Sequence, residues 1–161
     1  MPLKNLRLIV PVLVLAMIVT VLLATQDPKP VATKLGGCSE NYRADRTIKI
    51  GSQSIKTEVA QTAREREKGL SGRACITDDQ GMVFTFEKPG HYSFWMKDMN
   101  FPIDIIWIGA DRLVVGIEKD VLPSTYPDSF INKDKPAQYV LELKSGRADG
   151  LGLNLGTKVN F

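Results

Sequence analysis

His91–Glu118 reads HYSFWMKDMNFPIDIIWIGADRLVVGIE, and the spacing of its apolar residues decides the fold. Ile103–Ile108 is an apolar run with one charge, Asp104, bounded by Pro102 and the Gly109-Ala110-Asp111 turn. A short continuous apolar run between turn signals is a strand covered on both faces. If His91–Lys97 pairs antiparallel with it, Lys97 falls opposite Asp104 and Met96 opposite Ile105. One face then carries Phe94, Met96, Ile105 and Trp107, and the other Ser93, Trp95, Lys97, Asp104, Ile106 and Ile108. Both faces are largely apolar, which places the pair inside a layered β structure. Arg112–Glu118 follows as a third strand.

Working outward, Met82–Phe86 alternates strictly and ends at the turn Glu87-Lys88-Pro89-Gly90. Before it, Thr47–Ile50 and Ser54–Ala60 read as a hairpin about Gly51-Ser52. Thr62-Ala63-Arg64-Glu65 is a capping box opening a short, solvated helix to about Leu70, which Gly69 and Gly72 end. Downstream, residues 119–136 read as a long polar loop with Pro123, Pro127 and Pro136, a length at which loops are functional or mobile. Gln138–Leu143 alternates with Tyr139, Leu141 and Leu143 inward. Ser145 can cap a short helix through Leu151, and Thr157–Phe161 reads as a closing strand. The expected fold class is therefore mainly β with some α+β character: a single sandwich or barrel-like domain over residues 45–161, with two short helices.

The N-terminus is different in kind. Leu8–Ala24 is 17 residues long and almost wholly apolar, preceded by Lys4 and Arg7. This length lies at the lower end of a membrane span, so residues 1–25 are expected to be a signal anchor and transmembrane helix. The alternative is a cleaved signal peptide and secretion, although Leu22 sits poorly at the outer cleavage position. The basic flank directs the N-terminus to the cytoplasm and the domain outside it. Residues 26–44, with Pro28, Pro30, Gly36 and Gly37, read as a flexible linker.

Charge supports this division. Without Lys4 and Arg7, 19 basic residues face 18 acidic ones, so no nucleic-acid partner is expected. One histidine and two cysteines exclude an ordinary structural zinc site, and no metal or cofactor is expected. The segment Leu35-Gly36-Gly37-Cys38 resembles a lipidation box, but the charges at Asp27, Lys29 and Lys34 separate it from the apolar run. A disulfide between Cys38 and Cys75 suits an oxidising compartment better; two unrelated thiols are the alternative.

Several motifs occur in a fixed order: Arg64-Glu65-Arg66-Glu67-Lys68-Gly69-Leu70-Ser71-Gly72-Arg73, Gly81-Met82-Val83-Phe84, Phe94-Trp95-Met96-Lys97 and Pro102-Ile103-Asp104-Ile105-Ile106. Tyr126-Pro127 and Tyr139-Val140-Leu141-Glu142-Leu143 follow. On these motifs the chain resembles the domain of unknown function 192 family across roughly residues 50–160. The resemblance implies a compact β-rich domain, often in exported proteins, and no established activity. Gly109 and Thr157 depart from the family pattern, both at turns.

The candidate binding residues are Trp95, Lys97 and Asp104 on one strand face, with Arg73 from the loop after the helix. A lysine and a carboxylate beside an indole wall can hold a polar ligand, but they equally make a structural ion pair beside a packed Trp. Cys75 with His91 is a weaker nucleophile–base option. Asp78-Asp79-Gln80-Gly81 reads as a solvated turn rather than a calcium loop, since the alternate-position acids are missing. Asp104 and Glu142 are a possible acid–base pair whose separation depends on strand order.

The sequence thus leads to a membrane-anchored, extracytoplasmic binding module for a small ligand or a protein, in contact with lipid through residues 8–24. Two alternatives stand beside it. One is an envelope hydrolase using Asp104, Lys97 and Arg73; the other is a structural partner in an envelope complex through the 119–136 loop. Its catalytic residues are unknown, and whether it is an enzyme is open at this level.

Overall fold

A computed structural model describes Cys38 and residues 42–161. The 8–24 span and most of the linker lie outside the described residues. Among those described, no helix is long and apolar enough to cross a membrane.

The elements run β1 (Arg46–Ile50), β2 (Gln53–Ala60), α1 (Ala63–Lys68), β3 (Gln80–Gly90), β4 (Ser93–Trp95) and β5 (Ile103–Ile108). They continue with β6 (Val114–Val121), a 3-10 turn (Pro123–Thr125), β7 (Ser129–Ile131), β8 (Ala137–Lys144) and α2 (Arg147–Gly150). One sheet takes six strands in the order β1-β2-β3-β8-β5-β6, and β4 with β7 forms a second, two-stranded sheet.

The β1–β2 hairpin turns at Gly51-Ser52, as the sequence suggests, with Ile48 paired to Ile55. Beyond it, β2 and β3 run parallel, so α1 and the loop after it form a crossover between them. α1 starts where expected: the Thr62 hydroxyl accepts from the Glu65 N–H at 3.2 Å, and the Glu65 carboxylate accepts from the Thr62 N–H at 2.9 Å. It stops at Gly69, whose φ of 46° belongs to the left-handed region that a side chain disfavours. A Cβ there would also lie 3.3 Å from the Phe84 ring.

β5 is buried at every position, between β8 on one side and β6 on the other. This matches the double-sided apolar character of Ile103–Ile108. The pairing partner differs from the expectation. β4 does not pair with β5; it pairs with β7, with Phe94 opposite Phe130. A six-residue apolar strand satisfies its backbone best between two long strands, and three-residue β4 is left to pack across the sheet face. There Phe94 meets Phe84 at 4.9 Å and Trp107 at 6.3 Å between ring centroids.

The sheet has a core on each face. Ile48, Ile55, Val83, Ile106, Leu141 and Leu143 pack on one side with Ala148, Leu151, Leu153 and Val159. Met82, Phe84, Ile103, Ile105, Trp107 and Val140 pack on the other with Leu70, Ile76 and Met96. The expected sandwich or barrel is thus an open sheet, whose faces are covered by helices, loops and the small sheet. Residues 156–160 are not a full closing strand, yet they hydrogen-bond to Lys49 on β1, to Val114 at the start of β6 and to Arg112 just before it. The guanidinium carbon of Arg112 lies 4.1 Å from the Tyr139 ring centroid and 3.9 Å from that of Phe161, holding the C-terminus against the core.

The 119–136 segment is also more ordered than its polarity suggests. β6 extends to Val121, and β7 carries Phe130 into the second core.

Candidate functional site

Alternation along β8 sends Tyr139, Leu141 and Leu143 to the first core and Val140 and Glu142 to the second. Glu142 stands between Met82 on β3 and Ile105 on β5. It is a carboxyl at the centre of a sheet face that a second layer covers, and only 5% of it is exposed. Its Oε2 has no hydrogen-bond partner. Burial alone pushes its pKa up to about 8.

Above this carboxyl lies a cavity of about 390 Å³. Its walls are Phe84, Phe86, Tyr92, Phe94 and Trp95, with Leu70 and Met99, and its mouth carries Arg66, Glu67, Lys68 and His91. The elements that place these groups are β3, the C-terminal end of α1, and β4 laid across the sheet. Tyr92 stacks on Phe86 at 3.5 Å between centroids, and the Arg66 guanidinium lies 5.0 Å from the same ring. Arg66 is further held by the carbonyls of Gln61 and Thr85. The walls are therefore preformed by ring packing and by a cation already bound to backbone oxygens.

The residues singled out from sequence separate. Trp95 does line this cavity and remains 48% exposed. Lys97 is exposed and forms no ion pair among the described residues; its carbonyl accepts from the Ser71 hydroxyl at 2.7 Å. Asp104 points to the opposite sheet face and is fully buried, so the expected Lys97–Asp104 pairing does not form. Its Oδ1 accepts from the Asp120 N–H at 2.9 Å and its Oδ2 from the Ala148 N–H at 2.8 Å. This carboxylate serves the first turn of α2, whose own N-cap, Gly146, has no side chain to offer. Arg73 bonds Glu58 at 2.7 Å, a buried carboxylate that Arg43 also approaches at 3.5 Å. Asp104 therefore stands apart from Arg73 and Lys97, whose segments are joined by Ser71–Lys97, Gly72–Asp98 and Asn100–Arg73 hydrogen bonds but whose side chains do not line the cavity. Asp104 and Glu142 likewise lie on opposite faces and cannot act as an acid–base pair.

Cys38 and Cys75 are joined as a disulfide with Cα atoms 5.1 Å apart. Cys75 thus has no free thiol for His91 to activate, and His91 Nδ1 instead lies 2.7 Å from the Asn132 carbonyl. Asp78 pairs with Lys144 at 2.9 Å and Asp79 with Lys56 at 3.2 Å, which makes that turn an ion-paired surface feature. Among the described residues, no group of three or more His, Cys, Asp or Glu side chains could hold a metal ion.

Sequence reasoning missed Glu142 as a lone site residue because strict alternation with Leu141 and Leu143 reads as a solvated outer face. A signal was available. Met82, Phe84 and Phe86 on β3 and the two-sided apolar β5 require cover on both faces, and a central β8 then has no wet side.

The fold is thus a mixed sheet covered on both faces, with an unpartnered buried acid beside an aromatic-walled, open-mouthed cavity. The chain belongs to the DUF192 family, described as an uncharacterised ACR, whose model matches residues 46–161. Two solved structures are similar. A protein of unknown function from Novosphingobium aromaticivorans DSM 12444 shares 32% identity, covering 71% of this chain and 84% of that one, with a TM-score of 0.67. A proposed transcription regulator from Sinorhizobium meliloti 1021 shares 27% identity, covering 71% and 89%, with a TM-score of 0.65. A search of curated proteins finds no match.

Proposed function

We propose that the domain is a small-ligand binding module whose site is the cavity above Glu142. The observation that carries this reading is that Glu142, a buried carboxyl whose Oε2 has no partner, lines an aromatic-walled space of about 390 Å³. Buried polar atoms are almost always satisfied, so an orphan oxygen beside a cavity is the mark of a group kept for a ligand. Trp95 remains in the site from the original set; Arg73, Lys97 and Asp104 leave it, and the hydrolase built on those three loses its geometry. The location proposed is outside the cytoplasm, tethered by residues 8–24, which the Cys38–Cys75 disulfide supports.

A thermal-shift screen of small aromatic amides, ketones, amines, acids and sugars tests the binding reading. Compounds that stabilise the full-length wild type are expected to shift Glu142→Leu markedly less, while Lys97→Ala responds like wild type. Equal shifts in wild type and Glu142→Leu would remove the cavity from consideration. For the location, membranes washed at alkaline pH should retain the protein in the pellet, and its release would contradict the anchor.

A second reading has its own observation. Of the large apolar side chains that are exposed among the described residues, Trp95 belongs to β4 and Leu122, Tyr126 and Ile131 to the 119–136 segment. Trp95 and Tyr126 sit 6.4 Å apart, edge to face. Such a patch suits a protein partner.

A further inference from the structure

Glu142 has an environment that determines which kind of ligand it can meet. Its neighbours across the sheet are Met82 and Ile105, neither polar. The nearest acid along the same row is Glu58, two strands away, which Arg73 and Arg43 already hold. Glu118 lies in that row on the other side, opposite Ile105, and is exposed. α1 contributes Arg66, Glu67 and Lys68 to the mouth of the cavity, and His91 stands before β4. Of these, Arg66 is committed to two carbonyls and the Phe86 ring. No cation reaches Glu142 from any of these elements, since Oε2 is unpartnered and no ion pair involves the residue among those described.

A buried carboxyl with no cation beside it is far more stable un-ionised, and then it is an O–H donor. A cationic ligand would have to pass Arg66 and Lys68, with only Glu67 beside them to offset the charge, and ionise a buried acid that has no cation next to it. A neutral ligand with an acceptor oxygen needs neither step. It fills the aromatic walls with its body and takes the proton that Glu142 offers.

We propose that the cavity selects a compact, neutral, apolar molecule bearing a carbonyl-type acceptor at one end, and that Glu142 receives it as a protonated hydrogen-bond donor. This rests on the cavity being a ligand site and names the class of ligand. The raised pKa of about 8 agrees with it, for burial alone would hold the proton through neutral pH.

Three probes of nearly the same shape separate the options: acetophenone with a carbonyl acceptor, 1-phenylethylamine with a cation, and isopropylbenzene with neither. Affinities are measured by ligand-observed NMR titration on the full-length chain, wild type and Glu142→Gln, between pH 6 and pH 9. Acetophenone is expected to bind about tenfold tighter than isopropylbenzene, the factor of one hydrogen bond, and tighter than the amine. Glu142→Gln should keep acetophenone binding, because its amide N–H also donates. Wild-type affinity for the ketone should fall as pH passes about 8, and that of the Gln variant should not.

Preferential binding of the amine, lost in Glu142→Gln, would overturn the donor assignment while leaving the cavity as a ligand site. Equal binding of acetophenone and isopropylbenzene would overturn it too, by showing that the carboxyl takes no part. If none of the three binds while another compound of the thermal-shift screen stabilises wild type more than Glu142→Leu, this proposal fails and the binding module stands; if no compound of either set does so, both fail.

Discussion

At the residue scale, three acids on the sheet have different roles because their partners differ. Asp104 is spent on two backbone N–H groups and Glu58 on two arginines, whereas Glu142 faces a cavity. Glu142 should therefore be visible in stability. Its folded pKa is raised above the unfolded value, so the folded state keeps a proton that the unfolded state has lost. The favourable contribution is complete below about pH 4.5 and disappears as pH rises to about 8. Denaturant titrations should show wild type losing a few kcal/mol across that window, with Glu142→Gln nearly flat and more stable at pH 8. An identical slope in the two proteins would mean that Glu142 is not buried as described. Asp104→Ala should behave oppositely. It strands the Asp120 and Ala148 N–H groups and should cost about 2–4 kcal/mol at neutral pH without altering probe affinity. Its burial explains why the strand pattern alone made it look like a ligand-binding group: a charge in an apolar run signals a partner but not which kind.

At the scale of elements, the local signals for α1 were fully written in the chain. Thr62 and Glu65 bond each other's backbone, and the N–H groups of Thr62 and Gln61 hold the Glu65 carboxyl down to about 2. A helix of six residues depends on such a cap, so Thr62→Ala should lower stability by about 1 kcal/mol in a denaturation curve. That helix also carries the Arg66–Lys68 side of the cavity mouth, so its fraying should weaken probe binding. Gly81 shows a requirement of another kind. A Cβ there would lie 2.7 Å from the Glu142 carbonyl and 2.8 Å from the Leu143 side chain. The glycine lets β3 approach β8 closely at the site. Its place in the Gly81-Met82-Val83-Phe84 motif is legible in the sequence, and the approach that demands it is not.

At the scale of the molecule, the disulfide closes a separation of 37 residues that includes β1, β2 and α1. Loop closure of that size in the unfolded chain is worth about 2–4 kcal/mol. Reduction, or Cys75→Ser, should lower the unfolding midpoint accordingly, and an unchanged midpoint would show that the bond adds no constraint. The sequence by itself determined β1, β2, β3, β5 and β8, the turns after β1 and β5, the capped helix and the two-sided burial of Ile103–Ile108, because hydrophobic period and cap chemistry are local, whereas β7 and the end of β6 were hidden in a polar stretch. Only the tertiary structure decided the parallel β2–β3 pairing, the placement of β8 between β3 and β5, and the exit of β4 onto the sheet face. Those choices depend on long-range competition among strands for partners, which no local period encodes. The site follows from them: Glu142 looks solvated on an isolated strand and becomes a buried, unpartnered acid once its neighbours and covering layer are in place.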